Sequence, residues 1–179
     1  HSGALGGWFD GEWRWMADPS VSGCGGFGDL GTHSLDILLW LFGDVASCTA
    51  QVDPGTARYP GCDETGEGLL RFESGTIGTL AAAWDDLADP VSLVVSGTEA
   101  YAVILNGQLH FRKEGVSDGK EPLADLPGKP AGLDAFLETV TGAGAPPLVG
   151  ASEAAYRSAV MEALYTGARE GRWITPRKA

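Results

Sequence analysis

Leu35, Leu38, Leu39 and Phe42 recur at i, i+3, i+4 and i+7, the spacing that lines one face of an α-helix. A helix of roughly 12–15 residues is predicted to end at Gly43, which can supply a left-handed cap. From Val45 to Arg112 the period changes to two, with β-branched and apolar runs at 45–52, 66–73, 76–84, 91–97, 100–105 and 108–112. Glu73-Ser74-Gly75 and Asn106-Gly107 stand between adjacent runs as hairpin turn residues, so the strands should pair largely antiparallel. Residues 113–130 are charged, rich in Gly and Pro and without period, which reads as a solvated connection. Two more helices follow. Leu133, Phe136, Leu137 and Val140 form one apolar stripe; Tyr156, Ala159, Val160, Ala163 and Leu164 form another, opened by Ser152 as N-cap and closed near Gly171. The small residues of the second stripe allow close approach to a sheet or a helix.

Residues 1–26 show no period, and Gly alternates there with Trp8, Trp13 and Trp15. Tryptophan is costly to leave in water, so this segment is expected to be an ordered loop that either anchors on the core or receives a ligand. Together the elements predict an α+β fold as one domain over residues 1–179. Its centre is a largely antiparallel open-faced sheet of about six strands with helices packed on one face. No βαβ unit that would make a Rossmann domain is present in this chain.

Composition narrows the partners. The chain has 179 residues, a net charge of −12 and 12 basic residues, dispersed singly or in pairs. It therefore lacks the positive face that neutralises phosphates, which excludes nucleic acid and anionic membrane surfaces as expected partners. The longest apolar run, Ile37 to Phe42, is far below the roughly 18–20 residues that cross a bilayer. No signal segment opens the chain, and a cytoplasmic location is expected. Cys24, Cys48 and Cys62 are odd in number and lack C-x-x-C spacing, which points to reduced thiols.

Gly26-Phe27-Gly28-Asp29-Leu30-Gly31 matches G-x-G-x-x-G and opens the first helix. A dinucleotide turn needs a buried strand before it and a βαβ unit after it, and neither is predicted here. The glycines instead read as room for a tight turn or a close neighbour. Asp29 and His33 lie four residues apart and project from one helix face. A carboxylate beside an imidazole can orient it and support its charged form, as a general base for an alcohol requires. Spacing alone serves a capping Asp29 and a hydrogen-bonded boundary His33 better than it serves catalysis. Adding Asp36 would make a small metal cluster, but neither His1 nor His110 has the spacing of a further ligand, so no metal is expected. No G-x-S-x-G elbow or Cys/His signature points to a nucleophilic hydrolase.

The run Gly25-Gly26-Phe27-Gly28-Asp29-Leu30-Gly31-Thr32-His33-Ser34-Leu35-Asp36, followed by Trp40, Leu41 and Gly43, resembles the G-G-G-x-x-x-D-x-G-x-H-x-x-D-x-x-x-W-L-x-G signature of the glucose-fructose oxidoreductase/inositol dehydrogenase (Gfo/Idh/MocA) family. Phe72-Glu73-Ser74-Gly75-Thr76-Ile77-Gly78 is similar to that family's F-x-x-G-x-x-G hairpin, and Gly132-Leu133-Asp134-Ala135-Phe136 to its G-x-x-x-F helix start. Glu162 to Ile174 resembles its E-A-x-Y-x-S-A-x-x-G-R-x-V terminus, with Gly167 where Ser is usual.

The resemblance implies the C-terminal catalytic and substrate domain of an NAD(P)-dependent oxidoreductase acting on a sugar, polyol or related hydroxy compound. It makes His33 the acid/base and Asp29 its orienting carboxylate. Trp13 and Arg14 resemble an element that in some members reaches cofactor or substrate, and Asp36 becomes a structural residue. The family's preceding Rossmann domain and its Glu-Lys-Pro lysine are absent from the sequence, so a truncated chain is expected. NAD or NADP would belong to the full-length enzyme; this chain alone is expected to bind none and to be inactive. A homodimer or higher oligomer through the open sheet face is also implied. The alternative is a stand-alone, non-catalytic small-molecule-binding or assembly module of the same fold.

Overall fold

A computed structural model describes residues 11–86, 92–124, 126, 128, 132–144 and 148–178. His1, Trp8 and residue 91 of the predicted fourth strand lie outside the described residues. The chain divides into two compact units, His1–Asp89 with Gly150–Ala179, and Pro90–Val149.

The first unit begins with a 3₁₀ turn, Arg14–Ala17, and a single-turn helix α1, Pro19–Ser22. Asp18 caps α1: one carboxylate oxygen accepts from Ser20 N–H at 3.0 Å and from the Ser20 hydroxyl at 2.6 Å, which holds the acid below its ordinary pKa. Helix α2, Gly26–Phe42, follows and buries Phe27, Leu35, Leu38 and Leu39. It ends where predicted, at Gly43 with φ 78°, but runs 17 residues and starts earlier than the apolar spacing indicates. The extra turn depends on capping from a distant segment, described below.

Strands β1 (Val45–Asp53), β2 (Thr65–Phe72) and β3 (Ile77–Ala83) pair antiparallel in that order. Helix α2 packs across β3, and α4 (Ala151–Glu170) packs along β1, so one face of the sheet is covered. Residues with no side chain permit this closeness. A Cβ on Gly66 would stand 2.6 Å from the Phe27 ring, and one on Gly68 would stand 2.9 Å from Leu164. One on Gly167 would stand 2.9 Å from the Thr49 Cα, so α4 meets β1 nearly backbone to backbone. The Tyr156 hydroxyl accepts from Val45 N–H at 2.8 Å, and Ile174 exchanges two 2.8 Å hydrogen bonds with Cys48, covering the outer edge of β1.

Helix α4 is capped by Gly150 and not by Ser152. The helix starts at Ala151, and Glu153 reaches back to the Gly150 N–H at 2.7 Å, which leaves Ser152 inside the first turn. It closes at Gly171, φ 62°, as predicted.

The second unit holds β4 (Leu93–Ser96), β5 (Ala100–Leu105), β6 (Gln108–Lys113) and β7 (Ser117–Asp118), an antiparallel sheet in sequence order. Asn106 (φ 51°) and Gly107 (φ 74°) make the β5–β6 turn in the left-handed region its residues indicate. β7 lies in the segment expected to be a connection. Helix α3 (Gly132–Thr141) forms on the predicted stripe, yet only Ala135 is buried, and Leu133, Phe136, Leu137 and Val140 are exposed among the described residues. The class is thus α+β with wholly antiparallel pairing among the described strands, distributed over sheets of three and four. Among the described residues, no helix is long and apolar enough to cross a membrane.

Candidate functional site

The site is built on the first turns of α2. Four N–H groups open any helix without intrahelical partners, and here their donors face inward. Asp63, just before β2, supplies most of the acceptors. Its carboxylate oxygens take Gly25 N–H at 3.1 Å and Phe27 N–H at 2.9 Å, and its carbonyl takes Gly26 N–H at 2.7 Å. The Tyr165 hydroxyl, from α4, accepts Gly28 N–H at 2.8 Å and donates to the Asp63 carboxylate at 3.0 Å. Burial, and then the charge of Asp63, push the Tyr165 phenol far above its ordinary value. The adjacent Glu64 is fully buried; its carboxylate accepts from Thr56 N–H and hydroxyl and from Tyr59 N–H, which folds the 54–62 loop around it.

Asp29 follows in the first turn of α2, where the helix dipole favours an anion. Its Oδ2 accepts from the indole Nε1–H of Trp84 at 3.0 Å. Trp84 is 2% exposed and, with Tyr59 and Cys62, forms a small core against which Met16, Ala17 and Leu30 pack. His33 stands one turn beyond Asp29 and is exposed. The two share a face as the spacing requires, and among the described residues no hydrogen bond joins them. Beyond His33 the same face continues with exposed Ile37, Trp40 and Leu41.

Asp36 pairs with Arg157 of α4, whose side chain is mostly buried, so Asp36 ties two helices together. Trp13 and Arg14 are exposed, and the structure brings neither to the Asp29–His33 face through any described contact. Arg14 instead lines an open groove of about 750 Å³ with Trp15, Asp18, Arg58 and Tyr59. His110 is half-buried, its Nδ1 3.2 Å from the Gly119 carbonyl oxygen. No group of three His, Cys, Asp or Glu among the described residues is arranged to hold a metal ion.

Sequence reasoning missed Asp63, Trp84 and Tyr165. Asp63 lay in an aperiodic stretch, Trp84 ended a strand run, and Tyr165 was one letter of a terminal motif; nothing local links any of them to α2.

The three thiols are free. Burial pushes Cys48 up to about 12 and, with Asp63 and other acids nearby, Cys62 up to about 11. A thiol whose folded pKa is raised favours folding below its unfolded value, near 9, and loses that contribution as pH rises toward the folded one. The urea midpoint is therefore expected to fall above pH ~9, with each thiol contributing a slope of at most about 1.4 kcal/mol per pH unit. Denaturation at pH ~8 and ~10 checks this. A midpoint unchanged between them, or a fall that persists undiminished in Cys48→Ala, contradicts it.

A family model described as the GFO/IDH/MocA C-terminal domain matches residues 2–103, more than half of the 179-residue chain. The chain belongs to the GFO/IDH/MocA family. Solved structures share its fold. An aldose-aldose oxidoreductase from Caulobacter crescentus complexed with glycerol superposes with TM-score 0.77 at 23% identity, covering 90% of this chain and 50% of its own. A levoglucosan dehydrogenase in complex with NADH and levoglucosan gives 0.79 at 16% identity, covering 99% and 57%. An NAD binding oxidoreductase from Klebsiella pneumoniae gives 0.73 at 19%, covering 93% and 55%. The chain thus spans about half the length of these proteins. No curated protein matches the sequence.

In this GFO/IDH/MocA domain the 26–31 glycine run does not fit a dinucleotide. The N–H groups a pyrophosphate would need are taken by Asp63 and Tyr165. The space where a Cβ would stand is filled as well: the Glu64 carbonyl oxygen would lie 2.6 Å from a Cβ on Gly26, and the Tyr165 hydroxyl 2.9 Å from one on Gly28. The glycines seat α2 on the β2 approach.

Proposed function

We propose that this chain is the substrate-side catalytic half of an NAD(P)-dependent oxidoreductase acting on a sugar, polyol or related hydroxy compound. The observation that carries the proposal is the placement of Asp29 and His33 on one exposed face of α2, with Asp29 anchored from below by Trp84. Hydride exchange is the chemistry a nicotinamide supplies when bound, and the residues described here offer it no phosphate turn; its site belongs outside this chain. Within the chain, His33 is open to solvent, so a substrate hydroxyl can reach its imidazole and give up, or take back, a proton. A carboxylate has about four acceptor positions, so Asp29 can hold Trp84 and still orient an imidazole one turn away. Asp63 and Tyr165 fix the helix start and with it the position of Asp29.

The same reading makes the face of the three-stranded sheet opposite α2 and α4, which carries Leu69, Ile77 and Thr79, the surface of a homodimer; Leu69 and Ile77 are exposed on it. The non-catalytic alternative draws on one observation, that the described hydrogen bond of Asp29 goes to Trp84 and not to His33.

Incubating the 1–179 chain alone with polyols or aldoses and NAD or NADP is expected to give no change in nicotinamide absorbance. The natural protein that carries the chain is expected to give one. Turnover by residues 1–179 alone contradicts the division of labour proposed here.

A further inference from the structure

Trp84 directly follows β3, and its N–H donates to the Glu64 carbonyl at 2.7 Å, extending the sheet ladder by one residue. The indole is held on every side described. Tyr59 meets it edge to face at 6.3 Å and 86°, Met16, Ala17 and Leu30 pack around its cluster, and a Cβ on Gly26 would come within 3.1 Å of the ring. An indole has one hydrogen-bond donor and no acceptor, and burial obliges it to find a partner. That partner is a side chain at the surface of another element, 55 residues away in sequence, the carboxylate of Asp29. A partly exposed aspartate in a first helical turn otherwise has freedom about both side-chain torsions. Bonding one oxygen to a closely packed indole restricts the rotation of the carboxylate and hence the directions its second oxygen can take.

We infer that Trp84 is a positioning residue for the acid/base pair: its immobilised indole N–H sets the orientation of Asp29 toward His33. The inference rests on the function proposed above. It also gives the core formed by Tyr59, Cys62 and Trp84 a role in the chemistry, because residues of the 3₁₀ turn and of the 54–62 loop share the packing that holds the indole still.

The test is a double-mutant cycle in the natural protein that carries this chain. Trp84→Phe is expected to lower kcat by about tenfold to a hundredfold, the range typical of residues that orient a catalytic group, with KM changed by less than about twofold. In an Asp29→Asn background the same substitution should change kcat by less than about twofold, since the group it positions is already disabled. Equal fractional losses in both backgrounds mean that Trp84 acts through general packing, and the inference is overturned while the role of Asp29 stands. If Asp29→Asn leaves kcat unchanged, the proposed function fails and takes the inference with it. Should Trp84→Phe not fold, benzothienylalanine at position 84 removes the donor while keeping the shape. A kcat as high as that of the tryptophan protein would then overturn the inference; a loss absent from the Asp29→Asn background supports it.

Discussion

His33→Ala, in the natural protein that carries this chain, is expected to slow turnover by about two to four orders of magnitude, and Asp29→Asn by a comparable amount. The physical basis differs for the two. His33 is the proton carrier in this account, so its removal leaves a substrate hydroxyl with only water as base. Asp29→Asn keeps size and some hydrogen-bonding capacity but removes the carboxylate that orients the imidazole in this account. The structure also predicts what should not change. His33 is exposed and has no described hydrogen bond, so His33→Ala should move the unfolding free energy by less than about 0.5 kcal/mol. Asp29 in a first helical turn contributes about 0.3–1 kcal/mol through the helix dipole, which Asn gives up, although its amide oxygen can still accept from Trp84. Activity lost at nearly constant stability identifies a chemical role. Unchanged turnover in both variants would leave Asp29 a capping residue and His33 a surface histidine.

Asp63→Ala is expected to cost about 3–5 kcal/mol of folding stability, a large part of the 5–15 kcal/mol typical of a domain. One carboxylate there accepts two helix N–H groups and the Tyr165 hydroxyl, and Gly25 to Gly28 are buried, so water cannot replace it. Each charge-assisted bond is worth about 1.5–3 kcal/mol when its partner is stranded. Tyr165→Phe removes the acceptor of Gly28, a longer 3.4 Å acceptor of Gly25 and one donor to Asp63, and should cost about 1–3 kcal/mol. Chemical denaturation of both variants checks the order. A loss below about 1 kcal/mol for Asp63→Ala would show that the α2 start is satisfied in some other way.

Much of this architecture was legible because its signals are local. The period of Leu35, Leu38, Leu39 and Phe42 and the glycine at 43 placed α2 and its end; Asn106-Gly107 placed a turn; the strand runs placed β1 to β6 within a few residues. The start of α2 was not legible, since its cap is Asp63 and its fourth N–H finds Tyr165, both distant in sequence. The apolar stripe of α3 was visible, but a stripe does not say what covers it, and among the described residues it stays exposed. Ser152 looked like a cap by residue type, whereas Glu153 capped the preceding glycine by geometry. At the site, spacing put Asp29 and His33 on one face. It could not supply Trp84, because the indole reaches Asp29 only after β3 has been laid beside α2. Trp13 and Arg14 rest on resemblance alone; Arg14 lines a groove with Trp15, Asp18, Arg58 and Tyr59, and no described contact brings either residue to the Asp29–His33 face.

The most direct measurement is a crystal structure of the natural protein with a bound polyol. This account predicts a substrate hydroxyl within about 2.6–3.2 Å of a His33 ring nitrogen, with Asp29 still bonded to Trp84. A polyol held elsewhere, with His33 facing only solvent, would contradict it.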